Sequence, residues 1–301
     1  MHAIPEVPID HLIERYDALL FDAYGVLVSV AGAMPGAPDL IDMLNATGKP
    51  YCVVTNDASK LPETAAARYS RFGVAVQPAR IVTSGGLVEG YFREHGLSGA
   101  RCAVLGTVDS LRYVERAGGA IVPPQEDFDV LVVGDETGYP FLEHVDNALT
   151  TLFRRIDSGA PVHLVLPNPD LIYPRDETSF GIAAGSIALM FEAALQRRYP
   201  DRPAFAFARL GKPAGYLYEQ ALLRCGTRNA VMIGDQLETD IRGANACGID
   251  SALVTTGVSA ADLASVPAVL RPTWRVQSVA LAGIEPRART IATGPADLID
   301  K

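Results

Sequence analysis

The chain has 301 residues, 49% of them hydrophobic and 20% charged, with a net charge of -9 and a pI near 5.1. That composition supports a globular protein with ample core, and the acidic balance excludes the basic stripe that a nucleic-acid surface needs. No basic segment followed by an apolar one opens the sequence, and no apolar run approaches the roughly 18 residues of a membrane span, so a cytoplasmic protein is expected.

In chain order, Ile9 to Tyr16 reads as a lead-in helix. The apolar run Leu19-Leu20-Phe21 follows as a buried strand that delivers Asp22 to its carboxyl end, before Ala23-Tyr24-Gly25. Gly32 to Gly36 reads as a turn, and Pro35 introduces a helix over 37–47 that Gly48 ends. Tyr51 to Val54 is a second strand, closing on Thr55-Asn56-Asp57, and a helix from Leu61 to Phe72 leads to a third apolar unit, Arg80 to Ser84. Strands alternating with helices over short connections indicate a parallel sheet with right-handed crossovers.

From about Gly86 the same alternation builds a second small α/β domain, with strands expected at 103–106, 130–134 and 162–166 and helices at 109–116, 143–157 and 185–198. The Pro- and Arg-rich stretch from Arg197 to Pro203 looks like the way out. Gly211-Lys212-Pro213 then precedes a helix to about Leu223, and the strand Ala230 to Ile233 ends in Gly234-Asp235. A helix over Asp240 to Cys247, a strand over Ser251 to Val254 and an element anchored by Trp274 complete the pattern. Residues after Gly283 show little periodicity and are expected to form a loosely held tail. The expected division is a discontinuous core domain, 1–85 and 205–301, interrupted by an inserted α/β domain, 86–204.

The four cysteines, Cys52, Cys102, Cys225 and Cys247, are far apart and form no C-x-x-C pair, so they read as reduced thiols filling space. The five histidines show no ligand spacing, which argues against zinc.

Three sheet strands end in polar residues able to converge on one point: Asp22, then Thr55 with Asn56, then Asp235 with Asp240. Lys212 lies in a turn between the second and third. Carboxylates from separate strands suit Mg²⁺, which takes few protein oxygens and completes its octahedron with water and substrate phosphate. A lysine and a threonine hydroxyl supply the positive charge and donors that phosphoryl transfer needs, and an aspartate can itself accept the phosphoryl group. Each residue also has a plainer reading. Thr55-Asn56 can cap the next helix, Lys212 can be a surface charge, and Asp240 can favour a helix N-terminus.

Four motifs together resemble the haloacid dehalogenase superfamily of phosphatases: Phe21-Asp22-Ala23-Tyr24-Gly25-Val26, Val53-Val54-Thr55-Asn56, Gly211-Lys212-Pro213, and Gly234-Asp235-Gln236-Leu237-Glu238-Thr239-Asp240. The last, GDxxxTD, is the most specific. The insertion between the second and third motifs resembles the large cap of the nitrophenyl-phosphatase, pyridoxal-phosphatase and N-acetylglucosamine-operon phosphatase subclass, as do Asn168-Pro169-Asp170 and Ala184-Gly185-Ser186. The resemblance implies a Rossmann-like core with an inserted α/β cap, Mg²⁺ as cofactor, and a small phosphorylated metabolite as substrate. A homodimer through the cap is also compatible with it. In that scheme Asp22 is nucleophile and metal ligand, the Tyr24 carbonyl and Asp235 bind the metal, and Asp240 supports it. Thr55 and Lys212 hold the phosphoryl group, Asn56 lines the site, and Asn168 and Asp170 face the leaving group.

One departure stands out. Most phosphatases of the superfamily have an aspartate as general acid and base where this chain has Tyr24. Such help is worth roughly 10²–10⁴-fold. A tyrosine, with an ordinary pKa near ~10, can donate a proton but is a poor base at neutral pH. The expectation is therefore a phosphatase that is slow or restricted to good leaving groups. The alternative is a protein of this fold that binds a phosphometabolite or a partner with little chemistry.

Overall fold

The computed structural model describes residues 4–176, 178–202, 205–255, 263 and 266–285. The chain divides into two compact units. The first comprises 1–55, 62–82 and 212–301, the second 56–61 and 83–211. The expected tail after Gly283 lies almost wholly outside the described residues, which end at Glu285.

The first unit is built on a six-stranded sheet in the order Trp274–Val276, Asp250–Val254, Ala230–Gly234, Ala18–Phe21, Tyr51–Thr55, Ile81–Thr83. Pairing is parallel from the Trp274 strand through to the Tyr51 strand. All four residues of Ala18–Phe21 are buried, which is why the strand reads as a continuous apolar run rather than an alternating one. Leu19 and Phe21 enter a core with Val53, Ile233 and Ala252, covered by Ile9 and Leu12 of helix Ile9–Arg15 and by Leu40, Ile41 and Leu44 of helix Ala37–Thr47. Sequence runs outward from Ala18–Phe21 in both directions, to Tyr51–Thr55 on one side and to Ala230–Gly234 on the other. The order reverses at this strand, and such a switch point opens a crevice at the carboxyl ends of the strands. Asp22 stands there.

The second unit has its own five-stranded sheet, ordered Ala208–Arg209, His163–Leu166, Val130–Val133, Arg101–Leu105, Ala120–Ile121, with every pair parallel. Helices Phe141–Asp157 and Ala184–Arg198 cover one face through Val145, Leu152, Ile187 and Phe191. Helices Val88–His95 and Val108–Arg116 cover the other through Val88, Phe92 and Val114.

Three features of this unit differ from the expectation. The strand Ala208–Arg209 pairs with Val165 and Leu166, so the unit runs to Gly211 instead of ending at 204. Residues 56–61, which follow Thr55 directly, also belong to it. Their backbone is held by side chains of this unit: Ser84 Oγ donates to Asn56 O at 2.7 Å, Ser110 Oγ to Ala58 O at 2.8 Å and Thr107 Oγ1 to Ser59 O at 2.6 Å. The Tyr113 hydroxyl donates to Lys60 O at 2.6 Å, and Asp109 Oδ2 accepts from Leu61 N at 2.9 Å. The hairpin of Ile172–Pro174 with Phe180–Ile182 was likewise not expected. Among the described residues no helix is long and apolar enough to cross a membrane.

Candidate active site

Sheet register brings the first unit's candidates together. Phe21 pairs with Val53 on one side and Ile233 on the other, so Thr55 and Asp235 each stand one residue beyond the level of Asp22 on its two flanking strands. The Asp22 amide donates to Ile233 O at 2.9 Å, which fixes the strand end. The chain then turns at Gly25, whose φ of +83° suits glycine, and a Cβ there would run into the Asp235 carboxylate. Only a glycine lets the Asp22 turn lie this close to Asp235.

Lys212 ties the centre together. Its ammonium lies 2.8 Å from Asp22 Oδ1 and 2.7 Å from Asp240 Oδ1, and all three side chains are buried. Asp22 Oδ1 also accepts from the Ala23 amide at 2.7 Å. Asp240 is positioned by a wide π-type turn, Leu237–Ile241, that follows strand Ala230–Gly234. The turn brings its carboxylate back beneath the strand end, where Oδ2 accepts from the amides of Asp235 and Gln236, both at 3.2 Å. Both oxygens of Asp240 are therefore engaged, so its part is to hold Lys212 and the Asp235 turn. The Tyr218 hydroxyl, which sequence reasoning missed, donates to Thr239 O at 2.9 Å and so braces the same turn. The only signal for it was a tyrosine on a helix that reads as apolar.

Asp22, Asp235 and Asp240 place carboxylate oxygens within 4.8 Å of one another. Burial pushes the Asp22 carboxyl up to about 7 and the Asp240 charge adds to the rise, with Lys212 opposing it. Asp235 is pushed up to about 8, by burial and then by the charges of Asp22 and Asp240. Its Oδ1 is buried with no hydrogen-bond partner. An orphaned carboxylate oxygen beside two more buried carboxylates, with one lysine between them, is an all-oxygen donor set short of positive charge. That fits a hard divalent cation such as Mg²⁺.

Tyr24 is partly exposed at 36%, and the guanidinium of Arg68 lies 5.9 Å from its ring centroid. Arg68 was not singled out in the sequence, where it is one arginine in an alanine-rich helix. Thr55 is buried at the end of its strand. The remaining candidates meet in the second unit: Asn56 Nδ2 donates to Asp170 Oδ1 at 2.9 Å, and Asn168 Oδ1 accepts from the Asp170 amide at 3.0 Å.

The sequence itself matches known proteins along most of its length. Residues 19–120 fit the profile of haloacid dehalogenase-like hydrolases, and residues 209–282 a HAD-hydrolase-like profile. A dihydroxyacetone phosphatase of Corynebacterium glutamicum is 28% identical over 266 residues, covering 87% of this chain and 88% of the relative. A solved structure of a possible sugar phosphatase of the HAD superfamily, from Cytophaga hutchinsonii, superposes with a TM-score of 0.79 at 30% identity, covering 93% of this chain and 99% of that one. The glycerol phosphate phosphatase of Mycobacterium tuberculosis, solved with magnesium, superposes with a TM-score of 0.75 at 27% identity, over 89% of this chain and 77% of that one. With the strand-end aspartates, the lysine turn and both profiles in agreement, the chain belongs to the haloacid dehalogenase-like hydrolases.

Proposed function

We propose that this protein is a Mg²⁺-dependent phosphatase of small phosphorylated metabolites, with short sugar or polyol phosphates as the substrate class. The observation that carries the reading is the buried Lys212 ammonium between Asp22 and Asp240, beside an Asp235 oxygen that has no partner. Relatives named for dihydroxyacetone, acid sugar and glycerol phosphate phosphatases support the substrate class.

With Asp22 Oδ1 engaged by Lys212 and the Ala23 amide, the carboxylate is oriented before substrate arrives. Asp22 attacks phosphorus, the bond to the leaving oxygen breaks, and the phosphoryl group is carried as an acyl phosphate until water releases it. Lys212 and the Thr55 hydroxyl donate to the phosphoryl oxygens as charge redistributes. Asp22, Asp235 and the Tyr24 carbonyl would hold Mg²⁺, with Asp240 behind them, and the ion would supply further positive charge to those oxygens. The hydrogen-bonded set Asn56, Asn168 and Asp170 is assigned to leaving-group recognition. Tyr24 can protonate the leaving oxygen but serves poorly as the base for the second step, so the acyl phosphate is expected to persist.

A panel of phosphorylated metabolites assayed with Mg²⁺, run beside Asp22→Asn, tests this. Phosphate release from at least one sugar or polyol phosphate that needs both Mg²⁺ and Asp22 is the expected result. Tyr24 also favours a second reading, a binding protein with little turnover. Saturable metabolite binding without Asp22-dependent release would select it.

A further inference from the structure

Two cysteines that are 173 positions apart meet in the first unit. Cys52 lies within strand Tyr51–Thr55 and is buried, while Cys225 ends helix Tyr216–Cys225 and is partly exposed. Their sulfurs are 3.7 Å apart. Cys102 and Cys247 face the backbone carbonyls of Ala100 and Gly215, and Cys52 Sγ also lies 3.9 Å from Ala221 O.

We propose that Cys52 and Cys225 form a peroxide-oxidation site, in which Cys225 is the attacking thiol and Cys52 the resolving one, closing to a reversible disulfide. This reading stands apart from the phosphatase chemistry, since neither thiol belongs to the Asp22 site. Three observations support it. The sulfurs are already in contact at 3.7 Å, against a bonding distance of about 2.05 Å. Access is asymmetric, with the partly exposed member at a helix end just before Gly226 and the buried member on a strand flanked on both sides by others.

The surroundings are also cationic. Arg224 precedes Cys225, and the Arg80 guanidinium hydrogen-bonds to the carbonyl of Tyr51, next to Cys52, at 3.2 Å. The Cys225 thiol is lowered from its ordinary range by its hydrogen bond with Cys52 and by Arg80, while that hydrogen bond and burial push Cys52 up. The thiolate is the reactive form.

In the first step the Cys225 thiolate attacks an oxygen of hydrogen peroxide. The O–O bond breaks, hydroxide leaves and takes up a proton as water, and Cys225 becomes a sulfenic acid. The Cys52 sulfur then displaces that hydroxyl, which leaves with the Cys52 proton as a second water. One peroxide is reduced to two waters while two thiols are oxidised to one disulfide. The link ties the strand that ends at Thr55 to the helix that follows Lys212.

The test is graded hydrogen peroxide on the reduced full-length chain, read by thiol counting and by peptide mapping before and after dithiothreitol. The expected result is loss of two thiols per chain, a single Cys52–Cys225 crosslinked peptide, and full recovery on reduction, with Cys102 and Cys247 still free at that dose. In Cys225→Ser, oxidation of Cys52 should slow by about tenfold or more. In Cys52→Ser, Cys225 should pass on to sulfinic acid. The proposal is overturned by a crosslink between other cysteines, by sulfinic acid on Cys225 of the parent chain in place of the crosslink, or by Cys52 oxidising at the parental rate in Cys225→Ser. The parent measurement needs no variant, so a poorly folded substitution does not obscure it.

Discussion

Lys212 is the residue on which the arrangement at Asp22 depends most, because a single buried ammonium faces three carboxylates. Removing one partner of a buried ion pair leaves uncompensated charge and costs about 3–5 kcal/mol. Lys212→Met should therefore lower unfolding stability at pH 8 by about that much in urea titration, and abolish phosphate release as well. A change within experimental error would mean that the ion pairs do not persist in solution. Tyr24→Asp makes the opposite kind of change. It restores a carboxylate where the superfamily has its general acid and base, so turnover should rise by about 10²-fold or more and phosphoenzyme should fall. A parent with rapid turnover that the substitution does not improve would rule out the limiting role of Tyr24. Sequence assigned Lys212 to the phosphoryl group through its Gly-Lys-Pro turn, but did not show its ion pairs. Its pairing with Asp240 spans 28 positions and depends on a π-type turn that no local periodicity announces.

Among the elements, the connection after Thr55 behaves differently from its sequence. Asp57 to Lys60 reads as a short connection between the Thr55-Asn56 motif and a helix from Leu61, yet the backbone of 56–61 is pinned by Ser84, Thr107, Ser110, Tyr113 and Asp109 of the second unit. Polar side chains bonding to backbone carbonyls and an amide leave no hydrophobic pattern, so nothing in the sequence marked how this segment is held. Tyr113→Phe removes the donor to Lys60 O and the partner of Thr83 Oγ1, 2.7 Å away. A buried group left without its partner costs about 1–3 kcal/mol, so the variant should lose that much stability and show faster amide exchange over 56–61. Unchanged exchange there would show that the segment is held by other means. The long strands were legible because each is a buried apolar run ending at a polar residue. Strands such as Ala120–Ile121 and Ala208–Arg209 were not, since two residues carry no period, and missing the latter placed the division after 204 rather than after 211.

For the whole molecule, the buried carboxylates should make stability depend on pH and on divalent cation together. The folded chain keeps protons on Asp22 up to about 7 and on Asp235 up to about 8. An unfolded aspartate releases its proton near ~3.9. Between these limits the folded state binds more protons, so raising the pH from about 4 to about 8 should lower the melting temperature of the metal-free protein. Asp235→Asn should flatten that slope, and Mg²⁺ added at pH 8 should raise the melting temperature of the parent but much less that of the variant. Melting temperatures indifferent to both would contradict a cation site at these carboxylates. Phosphoryl transfer to Asp22 is read directly by acid-quench peptide mapping of the protein during turnover of a sugar or polyol phosphate with Mg²⁺. A phosphoryl adduct on Asp22 that is absent from Asp22→Asn is expected, together with loss of phosphate release in that variant. Phosphate release that continues in Asp22→Asn at the parental rate, with no adduct at Asp22 in the parent, would contradict it.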